Sequence, residues 1–463
     1  MSSAPILTPF LDDADVILYA GDCIEVMSRM PEASVDAIIT DPPYGLEFMG
    51  KDWDSPWKKS GDVEHVHEGT DDSHPFRDDA SRVRFGIGGP ASLGFQAFSE
   101  AWAREAFRVL KPGGHLLAFA GTRTYHRMAS GVEDAGFEIR DCIAWMYGSG
   151  FPKSLDVSKA IDKAAGAERE VLETIPDRWA GKGSVLERSE QSPRETADIT
   201  APATPAAQKW NGWGTALKPA FEPVVVARKP LIGTVAQNVL EHGTGALNID
   251  ACRIDTNGET IAQVTGKGTL GGTSEGYDRP WKRDPEAVAR REERAKAAID
   301  KANDLGRWPA NIALDATAAE MLDAQSGERK SVPFKATTTG AQADRQHVSF
   351  ADLEYSGRGY TDTGGASRFF YTAKASRQDR NTSGADNTHP TVKPTELMRW
   401  LIRLVTPPGG IILDPFGGSG STGVAARAEN VRCILIEREE EYLEIIRNRL
   451  AQQNLFATEH RND

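Results

Sequence analysis

Over residues 1–165, short continuous apolar runs alternate with stretches in which apolar residues return every third or fourth place. The runs VILYAGD (16–22), VDAIIT (35–40), HLLAFAG (115–121) and FEIRDCIAWMY (137–147) read as strands. CIEVMSRM (23–30), FQAFSEAWAREAFRVL (95–110) and YHRMASGVEDAG (125–136) carry helical spacing, and Gly136 closes the last. Lys111-Pro112-Gly113-Gly114 supplies the exit of the second helix. Strand–helix alternation of this kind predicts an open α/β sheet.

The pattern changes over 166–385. SVLERSEQSPRETADITAPATPAAQ (184–208) is polar and rich in Pro, Ala and Thr, which predicts a mobile surface segment. RDPEAVARREERAKAAIDKAND (283–304) reads as a charged helix with little apolar face, and residues 337–367 read as loop. WGTALKPAFEPVVVARKP (213–230), GALNIDACRI (245–254) and GRWPANIAL (306–314) are the ordered pieces between them. Alternation then returns. TELMRWLIRLV (395–405) is an amphipathic helix stopped by TPPGG (406–410), and IILDPFGGSGSTGVAARAEN (411–430) reads as strand, glycine loop and helix. VRCILIERE (431–439) is a strand ending in acids, and EYLEIIRNRL (441–450) is a helix. The expectation is one α/β domain in two halves, 1–165 and 386–463, split by an insertion at 166–385.

Composition narrows the function classes. The chain has 463 residues, with 54 basic against 67 acidic side chains and a formal net charge of −13. That balance argues against coating nucleic acid over the whole surface, but leaves room for a local basic cleft. Cys23, Cys142, Cys252 and Cys433 show no CxxC spacing, so neither a structural zinc site nor a disulfide framework is expected. No apolar run approaches the roughly 18 residues of a membrane span, and no basic-then-apolar leader opens the chain. A reducing, cytoplasmic setting is the expectation.

Two stretches carry chemistry. In ILDPFGGSGSTGVAA, Gly417, Gly418 and Gly420 lie between a strand and a helix, where backbone can turn tightly and approach a ligand beside free helix N–H groups. Ser421 or Thr422 can cap that helix. Glu437 ends the next strand, where an acid can bind ribose hydroxyls. The loop has neither GxGxxG nor GxxxxGK[ST] spacing, so alone it fits a nucleotide-type ligand or a structural turn. Thr40-Asp41-Pro42-Pro43-Tyr44 follows the run VDAII. Alone it fits a stiff turn. At the carboxyl end of a buried strand it also offers an anionic acceptor, proline carbonyls and a flat ring, which suit a planar base bearing an amino group.

Together the two stretches resemble the β group of S-adenosylmethionine-dependent DNA amino-methyltransferases: Asp-Pro-Pro-Tyr first, recognition region in the middle, Asp-Pro-Phe-x-Gly-Ser-Gly last. NTHPTVKP (387–394) is similar to the family's HPTxKP cofactor motif, and RVLKPGGHLLAF (108–119) to its helix–strand turn. GLEFMGKDWD (45–54), YGSGFPKS (147–154), GRWPANIAL and RFFYTAKAS (368–376) resemble phage and prophage adenine methylases. The resemblance implies a Rossmann-like class I methyltransferase sheet, mostly parallel with helices on both faces. It implies S-adenosylmethionine as cofactor, bound by Asp414, Phe416, Gly418 and Gly420 in the loop after the strand. Glu437 would take the ribose, Asp22 and Cys23 the adenine, and His389, Thr391 and Lys393 the methionine end, with Asp41 at the boundary of cofactor and target.

The implied reaction is methylation of adenine N6 on a base flipped out of duplex DNA. Asp41 and the Pro42 carbonyl would each accept one N6–H hydrogen bond, Pro43 would hold the turn, and Tyr44 would stack on the base. No metal is needed, because a sulfonium methyl is already electrophilic. In the family Asp-Pro-Pro-Tyr goes mostly with adenine N6 and Ser-Pro-Pro-Tyr with cytosine N4. Cytosine-N4 methylation stays open, as does a catalytically silent DNA-binding module. Phosphate contacts are expected from Lys218, Arg228 and Lys229, and from Arg368, Lys374, Arg377 and Arg380, which face the single acid Asp379 in that stretch. Phe369, Phe370 and Tyr371 fit either packing or a wedge. No nuclease signature accompanies these motifs, so a modification-only enzyme of a bacterial or phage-infected cell is expected. A homodimer and a separate nuclease partner are both open.

Overall fold

The computed structural model describes residues 7–45, 90–150, 154–176, 196–256, 304–330, 363–373 and 392–459, with 261–263, 358–360, 381–382, 385–386 and scattered positions over 286–300. Two compact units result: residues 1–247 with 374–463, and residues 248–373.

The sheet of the first unit begins with β1 (Leu11–Asp12) and β2 (Val16–Ala20), followed by α1 (Cys23–Ser28) and β3 (Val35–Thr40). Next come α2 (Pro90–Val109), β4 (Leu110–Phe119), α3 (Tyr125–Asp134), β5 (Glu138–Met146) and α4 (Val157–Ala164). β6 (Val171–Pro176) and β7 (Thr196–Thr200) form an antiparallel pair, and α5 (Pro205–Lys209) leads to β8 (Phe221–Arg228) and α6 (Val235–His242). Every position of β3 is buried, as expected for a continuous apolar strand covered on both faces.

The second unit holds β9 (Ile261–Gln263), β10 (Ile312–Asp315), α7 (Ala316–Ser326), β11 (Arg329–Lys330), β12 (Arg358–Tyr360), β13 (Thr363–Gly364) and β14 (Tyr371–Ala373). Within it β10 and β14 are parallel, while β9 with β12 and β11 with β13 are antiparallel pairs.

The chain returns to the first unit with a short ladder of β15 (Asn381–Thr382) and β16 (Ala385–Asp386). After it come α8 (Thr395–Val405), β17 (Ile411–Asp414), α9 (Ser421–Ala428), β18 (Arg432–Glu437) and α10 (Glu440–Glu459).

Strand order in the first unit is β1-β2-β18-β17-β3-β4-β8-β5. β2, β18, β17, β3 and β4 run parallel to one another, β1 is antiparallel to β2, and β8 is antiparallel to both β4 and β5. The last two strands in the chain therefore sit between the first ones. Asp36 helps lock them there: its carboxylate accepts the Ile411 N–H at 2.7 Å and an ion pair from Lys111 at 2.6 Å. The β3–β4 register breaks between Val35 and Ala37, opposite the Lys111–Gly114 turn. A Cβ on Gly114 would come within 2.9 Å of the Asp36 carbonyl oxygen. The core around Trp102, Met27, Ile38, Leu116, Val225, Leu413 and Ile436 draws on both ends of the chain.

Two expectations change here. β8 falls inside the expected insertion at 166–385 yet is an interior strand of the sheet, because its run PVVVA is buried against β4 and β5. The 196–208 end of the segment expected to be mobile is ordered as β7 and the start of α5. Thr204 caps α5 with Pro205 at its first position, and buried Asp162 accepts the N–H groups of Ala203 and Thr204 at 2.9 and 3.0 Å. Among the described residues no helix is long and apolar enough to cross a membrane, and no cluster of three His, Cys, Asp or Glu could hold a metal.

Candidate active site

Parallel strands end at one edge of the sheet, and four of their ends carry the groups singled out by sequence. β2 ends at Asp22, which caps α1 by accepting the N–H of Ile24 at 2.9 Å. β18 ends at Glu437, β17 at Asp414 and the glycine loop, and β3 at Asp41. From β17 the chain crosses through α9 to β18 on one side, and from β3 through α2 to β4 on the other. That divergence is the switch point at which open α/β sheets bind ligands.

The loop after β17 is held from several directions. Gly417 N–H bonds the Ile436 carbonyl at 2.7 Å, and Gly418 N–H bonds the Glu437 carboxylate at 2.7 Å. Gly418 and Gly420 have φ of +52° and +77°, which favour glycine. Buried Arg449 donates to the Ser419 carbonyl at 2.6 Å and to the Ser419 and Ser421 hydroxyls at 3.1 and 3.2 Å. Neither Ser421 nor Thr422 caps α9, since Gly420 stands at the cap and both hydroxyls are used elsewhere. Asp414 accepts Thr40 Oγ1 at 2.6 Å, Thr422 Oγ1 at 2.5 Å and the Phe416 N–H at 3.1 Å. Burial pushes its pKa up to about 7 against those three donors, with the nearby Asp41 charge adding to the rise. Phe416 packs on Trp102 and Phe98 with ring centroids 5.7 and 6.3 Å apart.

Glu437 is buried, and its Oε1 accepts the N–H groups of Arg438 and Glu439 at 2.8 Å each. Burial raises its pKa while those N–H groups oppose the rise. Cys23 is buried beside Asp22, and burial raises its thiol pKa. A nucleoside with two hydroxyls fits this donor set: a carboxylate fixed by backbone N–H groups, beside glycines whose backbone is open to close approach.

Across the switch point, Tyr44 Oη donates to Asp41 Oδ1 at 2.8 Å, and Lys393 Nζ donates to Asp41 Oδ2 at 2.6 Å. Lys393 also lies 3.1 Å from Tyr44 Oη and 5.0 Å from the centroid of the Phe119 ring. Burial acts to lower the Lys393 pKa, but the Asp41 and Glu222 carboxylates outweigh it and push the value up to about 12. Burial, then the charges of Asp41 and Glu222, raise the Tyr44 pKa, so the phenol stays a neutral donor. Thr124 Oγ1 donates to the Tyr44 carbonyl at 2.6 Å and fixes the end of the turn. Burial and the Glu222 charge push the Tyr147 hydroxyl up to about 12.

Sequence reasoning missed Glu222, Thr124 and Tyr147. Glu222 belongs to no motif. Its one signal is geometric: an antiparallel strand starts where its parallel neighbours end, so the first residues of β8 reach the ligand edge.

The expected DNA contacts fare unevenly. Lys218 is exposed, with Nζ 2.6 Å from the Gly148 carbonyl. Arg228 pairs with Glu138 at 2.7 Å, and Lys229 donates to the carbonyls of Phe107 and Leu110 at 2.7 Å each, where it closes α2. Those two cations are committed inside the fold rather than offered to phosphate. In the second unit, Arg368 donates to the Gly364 and Gly365 carbonyls at 2.7 and 2.6 Å and lies over the Phe369 ring. Phe369, Phe370 and Tyr371 are half-buried. Lys374, Arg377, Arg380, His389 and Thr391 lie outside the described residues.

The family model described as DNA methylase matches residues 35–448. Over 240 residues the chain is 28% identical to the type II methyltransferase M.HindIII of Haemophilus influenzae, covering 50% of this chain and 64% of that protein. A stretch of 66 residues is 50% identical to the type II methyltransferase M2.DpnII of Streptococcus pneumoniae, covering 14% of this chain and 25% of that protein. The chain thus spans less than two thirds of the length of either relative. The solved structure of PvuII DNA methyltransferase, described as cytosine-N4-specific, aligns with 95% of this chain and 88% of its own at 14% identity and a TM-score of 0.41.

Proposed function

The chain belongs to the DNA methylase family, and we propose that it methylates adenine N6 in duplex DNA. The cofactor is S-adenosylmethionine, which supplies an activated methyl group when bound. The observation that carries the reading is the position of Asp41, at the carboxyl end of β3 beside the glycine loop of β17.

Adenine N6 is a poor nucleophile because its lone pair is delocalised into the ring. Asp41 and the buried Pro42 carbonyl each accept one N–H of the amine. Those bonds draw nitrogen toward tetrahedral geometry and localise the lone pair for attack on a sulfonium methyl. The N–C bond would form as the S–C bond breaks to leave a neutral thioether, and the surplus N6 proton would pass to Asp41 and on to solvent. Tyr44 stacks on the extruded base and offsets the few kcal/mol lost on unstacking. Glu437, with its carboxylate fixed by backbone N–H groups, takes ribose hydroxyls, and Asp22, Cys23 and Phe416 line the adenine side. His389 and Thr391 take the cofactor's carboxylate end, while Lys393, expected beside them, is held by Asp41 and Glu222.

The acid at the first position of Asp-Pro-Pro-Tyr supports adenine over cytosine. The test is nucleoside mass spectrometry of DNA treated with the protein and labelled S-adenosylmethionine. N6-methyladenine is expected, and Asp41→Ala should abolish it while cofactor binding stays within about threefold. Label found only in N4-methylcytosine would overturn the adenine assignment, and no label at all would overturn methyl transfer.

A further inference from the structure

Both oxygens of Asp41 carry protein donors in this structure. Tyr44 Oη holds Oδ1 and Lys393 Nζ holds Oδ2. A neutral amine arriving there competes with an ammonium, whose charge-assisted bond is the stronger of the two. The lysine does not leave by losing its proton, because two carboxylates stabilise its charge. It can give up Asp41 only if another anion takes it. Glu222 stands on the far side of the same two groups, with Oε2 3.3 Å from Lys393 Nζ and 3.1 Å from Tyr44 Oη. The unequal distances to lysine, 2.6 Å to Asp41 and 3.3 Å to Glu222, show which carboxylate it favours before substrate is present.

We propose that Glu222 is a positioning residue that draws Lys393 and the Tyr44 hydroxyl away from Asp41 as the target amine arrives, freeing Asp41 to accept it. The inference rests on the methyl-transfer reading above. Four groups share two states. In one, ammonium and phenol sit on Asp41. In the other they sit on Glu222, and the cluster keeps its net charge throughout. A shift of this kind needs the second carboxylate within reach of both donors, which Glu222 satisfies from a strand 178 positions along the chain from Tyr44. Its side chain is 24% exposed, against 8% for Lys393, so its charge is partly solvated even while lysine sits closer to Asp41.

The test is Glu222→Gln, which keeps the shape and removes the charge. Among the described residues, lysine then has Asp41 as its one carboxylate partner. The expected result is a fall in kcat of at least about tenfold, with KM for DNA and the calorimetric Kd for S-adenosylmethionine within about twofold. In a Lys393→Met background the same change should cost much less, because only the Tyr44 hydroxyl remains to be moved. Glu222→Asp should recover part of the loss. Unchanged kcat in Glu222→Gln, or an equal loss with and without Lys393, would overturn the proposal. So would a drop in Tm beyond about 5 °C, which would make the residue structural. If the unaltered protein transfers no methyl group, the methylase reading fails instead.

Discussion

Asp41 and Tyr44 stand in one tetrapeptide, so sequence placed them in one turn, but the bond from Tyr44 Oη to Asp41 was not read from it, and the groups that tune them come from far along the chain. Thr40 meets Asp414 across 374 positions and Lys393 meets Asp41 across 352. Pair contacts at such range leave no local pattern, and only the strand order brings them together. His115 illustrates how a single buried group acts on the fold. It is buried on β4, and burial first, then the charges of Arg228 and Arg140, lower its pKa to about 4 from 6.5. The unfolded chain therefore binds the extra proton first as pH falls. His115 leaves stability intact above about pH 6.5 and withdraws it progressively toward pH 4, by about 3 kcal/mol in full. Urea midpoints of the wild type and His115→Gln at pH 7.5 and 4.5 check this: the variant should lose about 2 kcal/mol less over the interval. Equal losses would show that His115 is not the titrating group.

At the scale of elements, the apolar runs and helical spacings identified the parallel strands and most of their helices, because strands covered on both faces are continuous in hydrophobicity. β8 was legible as ordered but not as part of the sheet. Its antiparallel insertion between β4 and β5 depends on pairing, not on its own residues. The glycine loop was legible in composition, yet its anchoring was not: Arg449 arrives from α10 to hold Ser419 and Ser421. Gly420 tests that element. A Cβ there would stand 3.2 Å from two Ile446 carbons at a φ of +77°. Gly420→Ala should cost about 1–2 kcal/mol in the denaturation midpoint, and should weaken S-adenosylmethionine binding about tenfold or more in calorimetry. A variant with native affinity would show that the loop tolerates the shift.

For the whole molecule, the order β2-β18-β17-β3 makes the first half of the chain dependent on the last. A discontinuous α/β domain was legible from the return of alternation after 386, and so was the placement of the glycine loop between the last two strands. Which strands the returning pair would separate was not, since several orders satisfy the same pattern of elements. A chain ending at residue 386 lacks β17 and β18, leaves β2 and β3 without their shared neighbours, and exposes Leu18, Ile38 and Met27. Circular dichroism of that variant should show no cooperative thermal transition. A sharp transition near that of the full chain would mean the halves fold independently.

The same threading bears on birth at the ribosome. Synthesis runs at roughly 5–20 residues per second, so Thr40 leaves the exit tunnel tens of seconds before the Asp414 that it will bond. The nascent chain thus carries Asp41 for tens of seconds without the strands that frame it, and the pairing of β3 with β17 waits until β17 has been made.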